Sequence, residues 1–355
     1  MESILRSNLH RTIMINKRFN IVIVVITFGV FFSFFTAHQG LGTMMVTVRT
    51  LHQDWIELAA SLIMLSWIFE MLVLYTILKD SQHAKNSLLK AFKFQMVGQF
   101  FGAISPFSAG SHPAQLFTMK KNGIPVGEAG SMLMIKFMIH QVVNIIIFTI
   151  STLLTYHYFE QKVHYFTYLC GLGLAVHTAV LIFSVLVLIN QSLTKRILAA
   201  CLRMLYRIRL VKNPDVVYQK LNLEVEHFHA NAVYLSKKIR VCIYASIFTC
   251  LQYAAYFSVP YCIYRSFGLH SAELWSLICA QIFLSNFMAA IPLPGAAGGA
   301  EGGFYFIYSL YFPSNTLLTA LFVWRLLSYY TAISFSSIFA LSWTKSKESA
   351  TGHQN

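Results

Sequence analysis

Apolar runs long enough to cross a lipid bilayer recur along nearly the whole chain, and they constrain its fold more than any other feature. A spanning helix needs about 20 predominantly apolar residues. The chain is 56% hydrophobic and 11% charged, whereas soluble domains are about 25% charged. We therefore predict an all-α polytopic membrane protein with about six full transmembrane helices and two re-entrant broken hairpins. The predicted full spans are 19–37, 56–78, 128–156, 165–189, 241–264 and 316–342, and the hairpins are 94–119 and 272–312.

Basic residues are distributed unevenly along this pattern. If the N-terminus is cytoplasmic, 22 of the 27 Lys and Arg residues lie on the cytoplasmic side, and only Arg49, Lys162 and Arg265 lie outside. This is the positive-inside pattern of membrane proteins. It explains the net charge of +14 without a nucleic-acid partner, and it predicts cytoplasmic termini. The run 19–37 has no cleavage site after it and is interpreted as a retained helix, although a signal anchor has the same pattern.

Two segments, 100–140 and 288–330, share an order of features. Each contains an apolar helix, a break rich in Pro, Gly or Ser, a proline-containing turn and a long apolar helix with one early cation. A shift of about 189 residues aligns Lys136 with Arg325, and Ile124 with Pro313. Three predicted spans separate the hairpins, and this odd number makes the repeat inverted. Inverted repeats with broken helices are frequent in secondary transporters, whose sites lie at the repeat interface near the midplane.

The polar segment 190–240 separates the two halves. Its apolar residues recur at helical spacing between basic residues, which predicts a cytoplasmic amphipathic linker on an anionic membrane surface; a regulatory or partner-docking role is the alternative. The predicted organisation is an N-terminus (1–18), a first membrane half (19–189) with its break near 105–115, the linker (190–240), a second membrane half (241–342) with its break near 291–303, and a cytoplasmic tail (343–355).

Lys136 and Arg325 are the two cations within predicted spans. A cation at the centre of a span costs about 2.5–3.5 kcal/mol, so each needs a reason to be there. One interpretation is a structural ion pair, with Glu301 as the partner of Arg325. The other is attraction of an anionic headgroup, such as a phosphate, from each side in turn. Glu301 follows the glycine-rich break, where it either stabilises a helix N-terminus or takes part in a transport cycle.

The candidate headgroup or translocation site combines these three charged residues with polar and turn residues of the two breaks. Those residues are Ser105, Ser108, Gly110, His112, Gln115, Pro292, Pro294, Gly295 and Gly298. Glu70, His140 and His177 lie in apolar runs and are interpreted as interhelical hydrogen-bonding residues.

No catalytic residue, cofactor or metal site is predicted. The six cysteines are scattered, without a CxxC spacing, and no P-loop motif occurs. The three aspartates lie outside the predicted spans, which excludes an intramembrane aspartyl protease. A dyad of Ser105 or Ser108 with His140 would lack a nucleophile-elbow setting.

The stretch "PLPGAAGGAEGG" (292–303) resembles the second-half signature of the lysylphosphatidylglycerol synthase transmembrane region, the flippase-like part of MprF proteins. Pro292, Pro294, Gly295, Gly298 and Glu301 match that signature, which is approximately P-x-P-G-G-x-G-x-x-E, and Ala296 replaces its second glycine. The stretch "SPFSAGSHPAQLF" (105–117) resembles the first-half motif. Lys136 stands where an arginine is common. The resemblance extends over about residues 15–345.

This resemblance implies a flippase-like protein that moves an anionic or aminoacylated phospholipid, a glycophospholipid or a related lipid between leaflets of the bacterial cytoplasmic (inner) membrane. The alternative is a membrane component of a phosphatidylglycerol lysyltransferase system that modifies lipids and confers resistance to cationic antimicrobial peptides. The chain ends soon after its last predicted span, so we do not expect lysyl transfer from these residues alone. The implied partners are membrane lipids and a separate transferase; homo-oligomerisation is left open.

Overall fold

The computed structural model describes residues 46–80, 88–207 and 214–345, together with Gly29. The predicted first span, 19–37, and the predicted N-terminal segment, 1–18, therefore lie outside the described ranges, apart from Gly29. The elements of those ranges are helices: α1 (Gln53–Leu78), α2 (Leu88–Ala103), α3 (Ser111–Lys121), α4 (Val126–Glu160), α5 (Phe166–Ile189), α6 (Gln191–Arg207), α7 (Pro214–Ser236), α8 (Ile239–Phe257), α9 (Val259–Ser266), α10 (Leu274–Ala289), α11 (Gly299–Tyr308), α12 (Ser314–Arg325) and α13 (Thr331–Lys345).

Five segments in the described ranges are long and apolar enough to cross a membrane. They are Gln53–Leu78, Val126–Glu160, Phe166–Ile189, Ile239–Ser266 and Ser314–Ala340. Each coincides with a predicted full span. The prediction of an all-α polytopic membrane protein is therefore confirmed.

Two shorter helix pairs occupy the positions of the predicted broken hairpins. In the first hairpin, α2 packs against α3, and Gly98 leaves the space that the Gln115 side chain fills. In the second hairpin, α10 packs against α11, and Gly303 lies against Leu284 and Phe287. A proline begins the turn in both hairpins, because proline lacks the N–H that a continuing helix requires.

The two turns have nearly the same backbone conformation. Ser105 and Leu293 are extended (φ −112°, ψ 148° and φ −122°, ψ 148°). The next residue is proline in both turns, and left-handed residues follow at Phe107 (φ 52°) and Gly295 (φ 59°). These equivalent positions are 188 residues apart.

The same offset relates the residues that precede the following helices. Pro125 (φ −55°, ψ 146°) is equivalent to Pro313 (φ −58°, ψ 148°). The expected alignment of Ile124 with Pro313 was therefore wrong by one residue. The segment from Pro313 to Arg325 is one residue longer than the segment from Pro125 to Lys136, so an alignment anchored on the cations shifts the prolines.

The segment between the halves is held against the first half. Helix α7 packs along α4, and the Glu224 carboxylate accepts a hydrogen bond from the Gly127 backbone N–H at 2.6 Å. Asn231 donates to the Ser131 hydroxyl at 2.6 Å. A carboxylate is favourable at a helix N-terminus because the free N–H groups carry partial positive charge. Helix α7 thus fixes the start of the helix that carries Lys136.

Candidate functional site

The site centres on the two hairpin turns, which contact each other. The turn Pro106–Ser108 touches the turn Pro294–Ala296, and the second turn also touches α2. Phe107 and Ser108 have positive φ angles of 52° and 55°. A left-handed residue other than glycine costs about 1–2 kcal/mol, and such strain is concentrated at functional sites. The second turn has a glycine, Gly295, at the position of Phe107.

Polar residues of the first turn mainly hold its own backbone. The Ser105 hydroxyl accepts a hydrogen bond from the Gly110 N–H at 2.8 Å and donates to the Gly102 carbonyl at 3.2 Å. A side chain at Gly110 would meet the Phe101 carbonyl and Ser105. Ser108 is exposed. Of the predicted polar residues in this turn, Ser105 is therefore committed to the turn and Ser108 is open to a ligand.

The second half contains a buried ion pair beside its turn. The Glu301 Oε1 atom lies 2.8 Å from both Nε and Nη2 of Arg325. The Arg325 Nη1 donates to the Gly295 carbonyl at 3.0 Å. The other carboxylate oxygen of Glu301, Oε2, accepts the Gly298 backbone N–H at 2.6 Å. Glu301 thus performs both structural roles that the sequence suggested, helix stabiliser and partner of Arg325.

Tyr329 connects this ion pair to the first hairpin. The Arg325 guanidinium lies 5.2 Å from the centre of the Tyr329 ring. The Tyr329 hydroxyl donates to the Ala103 carbonyl, at the end of α2, at 3.0 Å. Tyr329 belongs to a π-helical turn, Leu326–Tyr330, that follows Arg325 directly. Single π-turns within α-helices are frequent at functional sites, and here the turn lies where the two halves meet.

The first half contains the corresponding ion pair, with different partners. The Lys136 Nζ donates to Glu70 Oε1 at 3.1 Å and also to Gln95 Oε1. Gln95 Oε1 accepts a second hydrogen bond, from Gln115 Nε2 at 3.2 Å. The carboxylate comes from α1 and the amides come from the hairpin. In the second half, by contrast, the hairpin itself supplies the carboxylate.

Two further polar groups surround Lys136. The His140 ring contacts the Lys136 carbonyl through Nδ1 at 2.9 Å and Gln252 Oε1 through Nε2 at 3.0 Å. The His112 ring lies 5.7 Å from the Phe137 ring. In the part of the chain that the structure describes, His112 Nδ1 and Gln115 Oε1 are buried without a hydrogen-bond partner. Such groups cost about 1–3 kcal/mol, so both can gain from a ligand.

Burial separates the cations from the carboxylates. The side chains of Lys136 and Arg325 are 4% and 3% exposed, whereas those of Glu70 and Glu301 are 23% and 15% exposed. Each cation is neutralised and enclosed, and each carboxylate reaches toward more open space. Chemically, the site offers two compensated charge pairs, one beside each hairpin, and, among the described residues, unpartnered polar atoms on His112 and Gln115.

Among the predicted site residues, Arg325 forms hydrogen bonds with Glu301 and Gly295, and Glu301 forms one with Gly298. Ser105 forms one with Gly110. The structure connects Lys136 to Gln115 through Gln95. Pro292, Gly298 and Ser108 are exposed, and Pro294 begins the second turn.

The sequence did not indicate the roles of Gln95 and Tyr329. It predicted Glu70 to be an interhelical hydrogen-bonding residue, and the structure identifies its partner on α4 as Lys136. Glu70 lies 66 residues from its partner Lys136, and no periodic pattern connects them. The sequence signal for Glu70 was its position as an acid within an apolar run. Because an unpaired charge within a membrane is costly, such an acid is expected to have a partner.

Comparison with known proteins supports the earlier resemblance. The chain is 23% identical over 264 residues to a UPF0104 membrane protein of Archaeoglobus fulgidus, in an alignment that covers 71% of this chain and 75% of that protein. No solved structure matches the chain. The model of the lysylphosphatidylglycerol synthase TM region matches residues 20–335, which include both turns and both buried cations. The chain therefore belongs to the lysylphosphatidylglycerol synthase transmembrane region family.

Proposed function

We propose that this protein translocates an anionic or aminoacylated lipid between the leaflets of a membrane. The headgroup passes through the polar region where the two hairpin turns meet, and the acyl chains stay in lipid. One observation carries the proposal: the turns contact each other, and a buried cation–carboxylate pair lies beside each hairpin. Irregular backbone at membrane depth is tolerated where protein buries it or water reaches it.

The proposed mechanism is an exchange of partners at each cation. A headgroup phosphate competes with Glu70 for the Lys136 ammonium, and with Glu301 for the Arg325 guanidinium. Charge-assisted hydrogen bonds to phosphate are about as strong as those to carboxylate. Because one anion replaces another, neither cation is left unpaired within the membrane, where it would cost about 2.5–3.5 kcal/mol.

Reconstituted protein tests this proposal. We expect wild-type vesicles to move a fluorescent anionic phospholipid between leaflets, and the variant Lys136→Ala/Arg325→Ala to lose that activity. Lys162→Ala is the matched control, because Lys162 is an exposed cation away from the turns. Equal rates for the wild type and the double variant, with both folded by size-exclusion chromatography, would refute the proposed role of the cations.

The family description favours a second candidate. It names the membrane region of a synthase, which suggests that this chain assists a separate lipid-modifying transferase. Co-purification of such an enzyme, together with no lipid movement by the isolated protein, would support this candidate over translocation.

Orientation is part of the proposal. We propose two membrane halves of opposite orientation joined by the segment 190–240, with both termini in the cytoplasm of a bacterial cell. The test uses a variant without the six native cysteines, into which Lys120→Cys or Ser314→Cys is introduced; both positions are exposed. The cysteine at position 120 should react with a membrane-impermeant thiol reagent added from the cytoplasmic side, and the cysteine at position 314 with the reagent added from outside. Reaction of both cysteines from the same side would exclude an inverted repeat.

A further inference from the structure

A long apolar cavity lies between α4, α5, α10 and α11. Its volume is about 470 Å³, within the range of about 300–1,000 Å³ that is usual for ligand sites. Phenylalanines close one end: the Phe283 ring lies 5.8, 5.1 and 5.1 Å from the rings of Phe148, Phe159 and Phe166. Apart from Cys170, the polar side chains of its wall are Gln141, His177 and Asn286.

Those three polar residues lie at the opposite end from the phenylalanines. Gln141 and His177 are near the middle of α4 and α5, and Asn286 is near the end of α10. Asn286 is oriented by a hydrogen bond that its Oδ1 accepts from Asn144 at 2.9 Å. The cavity is therefore polar near mid-helix and apolar toward the turn between α4 and α5.

The cavity is elongated along α5. Its wall on that helix extends from Phe166 to Val180, about 21 Å at 1.5 Å per residue. Because this length is lined mainly by apolar side chains, the cavity suits a hydrocarbon chain.

The cavity opens toward lipid and begins beside the second ion pair. Its mouth includes Leu172 and Val176, which are 64% and 52% exposed, on a helix whose apolar window is only 6% buried. A chain can thus enter sideways from the bilayer without crossing water. At the other wall, Gly302 and Gly303 follow Glu301 directly in the chain.

We propose that this cavity holds one hydrocarbon chain of a membrane lipid whose headgroup lies at the hairpin turns. The inference rests on the proposed translocation, and it names the class of substrate: a lipid with at least one long hydrocarbon chain. With its headgroup near the midplane, the lipid places this chain in the half of the bundle that the phenylalanines close. The cavity thereby replaces the contacts that the chain loses when it leaves its leaflet.

Photo-crosslinking tests whether a chain occupies the cavity. The full-length protein is reconstituted in vesicles of phosphatidylethanolamine and phosphatidylglycerol that contain a phosphatidylglycerol with a diazirine near the end of one chain. We expect Phe148, Phe166 and Phe283 to be labelled more strongly than Ile243 and Ile247, which are exposed on α8. Labelling of the phenylalanines no stronger than that of α8 would overturn the inference.

Substitutions that fill the cavity sharpen the experiment. Gly302→Phe adds a ring at the cavity wall, at a position where no neighbouring atom lies within 4 Å of an added β-carbon. Val176→Phe narrows the cavity from the α5 wall. Gly171→Phe is the matched control, because Gly171 has the same free space and is not part of the cavity wall.

We expect both filling variants to lower labelling of the phenylalanines about tenfold, and the control to leave it unchanged. A ring at the cavity wall takes the place of about two methylenes of the chain, and each methylene contributes about fourfold to partitioning. Unchanged labelling in both filling variants would overturn the inference.

The inference and the proposed function fail in different ways. If the phenylalanines are labelled but the wild type moves no lipid between leaflets, the cavity binds a chain and the proposed translocation is wrong. If the wild type and both filling variants translocate lipid at the same rate, the transported lipid does not use the cavity, and the inference is overturned while translocation stands.

Discussion

Replacing Glu301 by glutamine should strongly destabilise the protein. The substitution keeps the size of the side chain and an oxygen that can accept the Gly298 N–H, so the helix N-terminus is largely preserved. It removes the negative charge that compensates Arg325 through two contacts of 2.8 Å. Arginine stays protonated in proteins, so the guanidinium, 3% exposed, keeps neutral partners, the Gly295 carbonyl and the Tyr329 ring, but loses its counter-charge.

Breaking a buried ion pair by removing one partner costs about 3–5 kcal/mol, because the other charge remains uncompensated. We expect a loss of that size in the free energy of unfolding for Glu301→Gln. Arg325→Met should cost less, since a lone carboxylate can take up a proton. The variant with both substitutions should be more stable than the sum of the single losses implies, by about 2–3 kcal/mol, the upper part of the range for residues in direct contact.

Unfolding by SDS in mixed micelles, followed by the fluorescence of the five tryptophans, measures these free energies. The pair Lys195–Glu226 is the control, since its atoms lie 3.6 Å apart and its side chains are 28% and 51% exposed. Exposed pairs contribute about 0–1 kcal/mol. A coupling energy for Glu301 and Arg325 no larger than that of the control would refute the argument that burial makes this pair strong.

Three further predictions use the same unfolding measurement; two concern backbone geometry and the third a charge at a helix N-terminus. Gly295→Ala should destabilise the protein by more than about 1 kcal/mol, because Gly295 has a φ of 59° and an added β-carbon would meet the Tyr329 ring. An unchanged midpoint of the unfolding transition would show that the turn relaxes freely. Phe107→Gly should stabilise the protein by about 0.5–1 kcal/mol. Phe107 has a φ of 52°, and removing the penalty for this left-handed conformation outweighs the greater conformational entropy that glycine gives the unfolded chain. Destabilisation would mean that the Phe107 side chain contributes more to stability than its backbone strain costs. Glu224→Gln should cost about 0.3–1 kcal/mol, the value of a charge at a helix N-terminus, because its oxygen can still accept the Gly127 N–H; a loss above about 2 kcal/mol would show that α7 depends on more than this charge.

Much of the architecture followed from local pattern. The length and apolarity of the runs were sufficient to predict the five spans found in the described residues, because a bilayer requires about 20 apolar residues from each crossing helix. Proline and glycine marked both hairpin turns, since neither residue continues a helix well. The partner of Arg325 was also accessible, because Glu301 stands beside the second break, in the same half of the chain.

The partner of Lys136 depended on tertiary structure. Glu70 comes from α1 and Gln95 from the first hairpin, and only packing brings them to one ammonium. The same holds for Tyr329, whose hydroxyl reaches a carbonyl 226 residues earlier in the chain. Long-range pairs of this kind leave no periodic signal in a sequence.

By itself, the sequence determined the class of the protein, the positions of the two breaks and of the five spans within the described residues, and the presence of two cations that require compensation within a membrane. These follow from free energies of transfer and backbone conformation that each residue carries alone. Tertiary structure decided that both cations are already paired, that the two turns contact each other, and that an elongated apolar cavity is lined by the residues that follow Glu301. Those features arise from the packing of helices distant in the chain, whose relative placement no local pattern specifies.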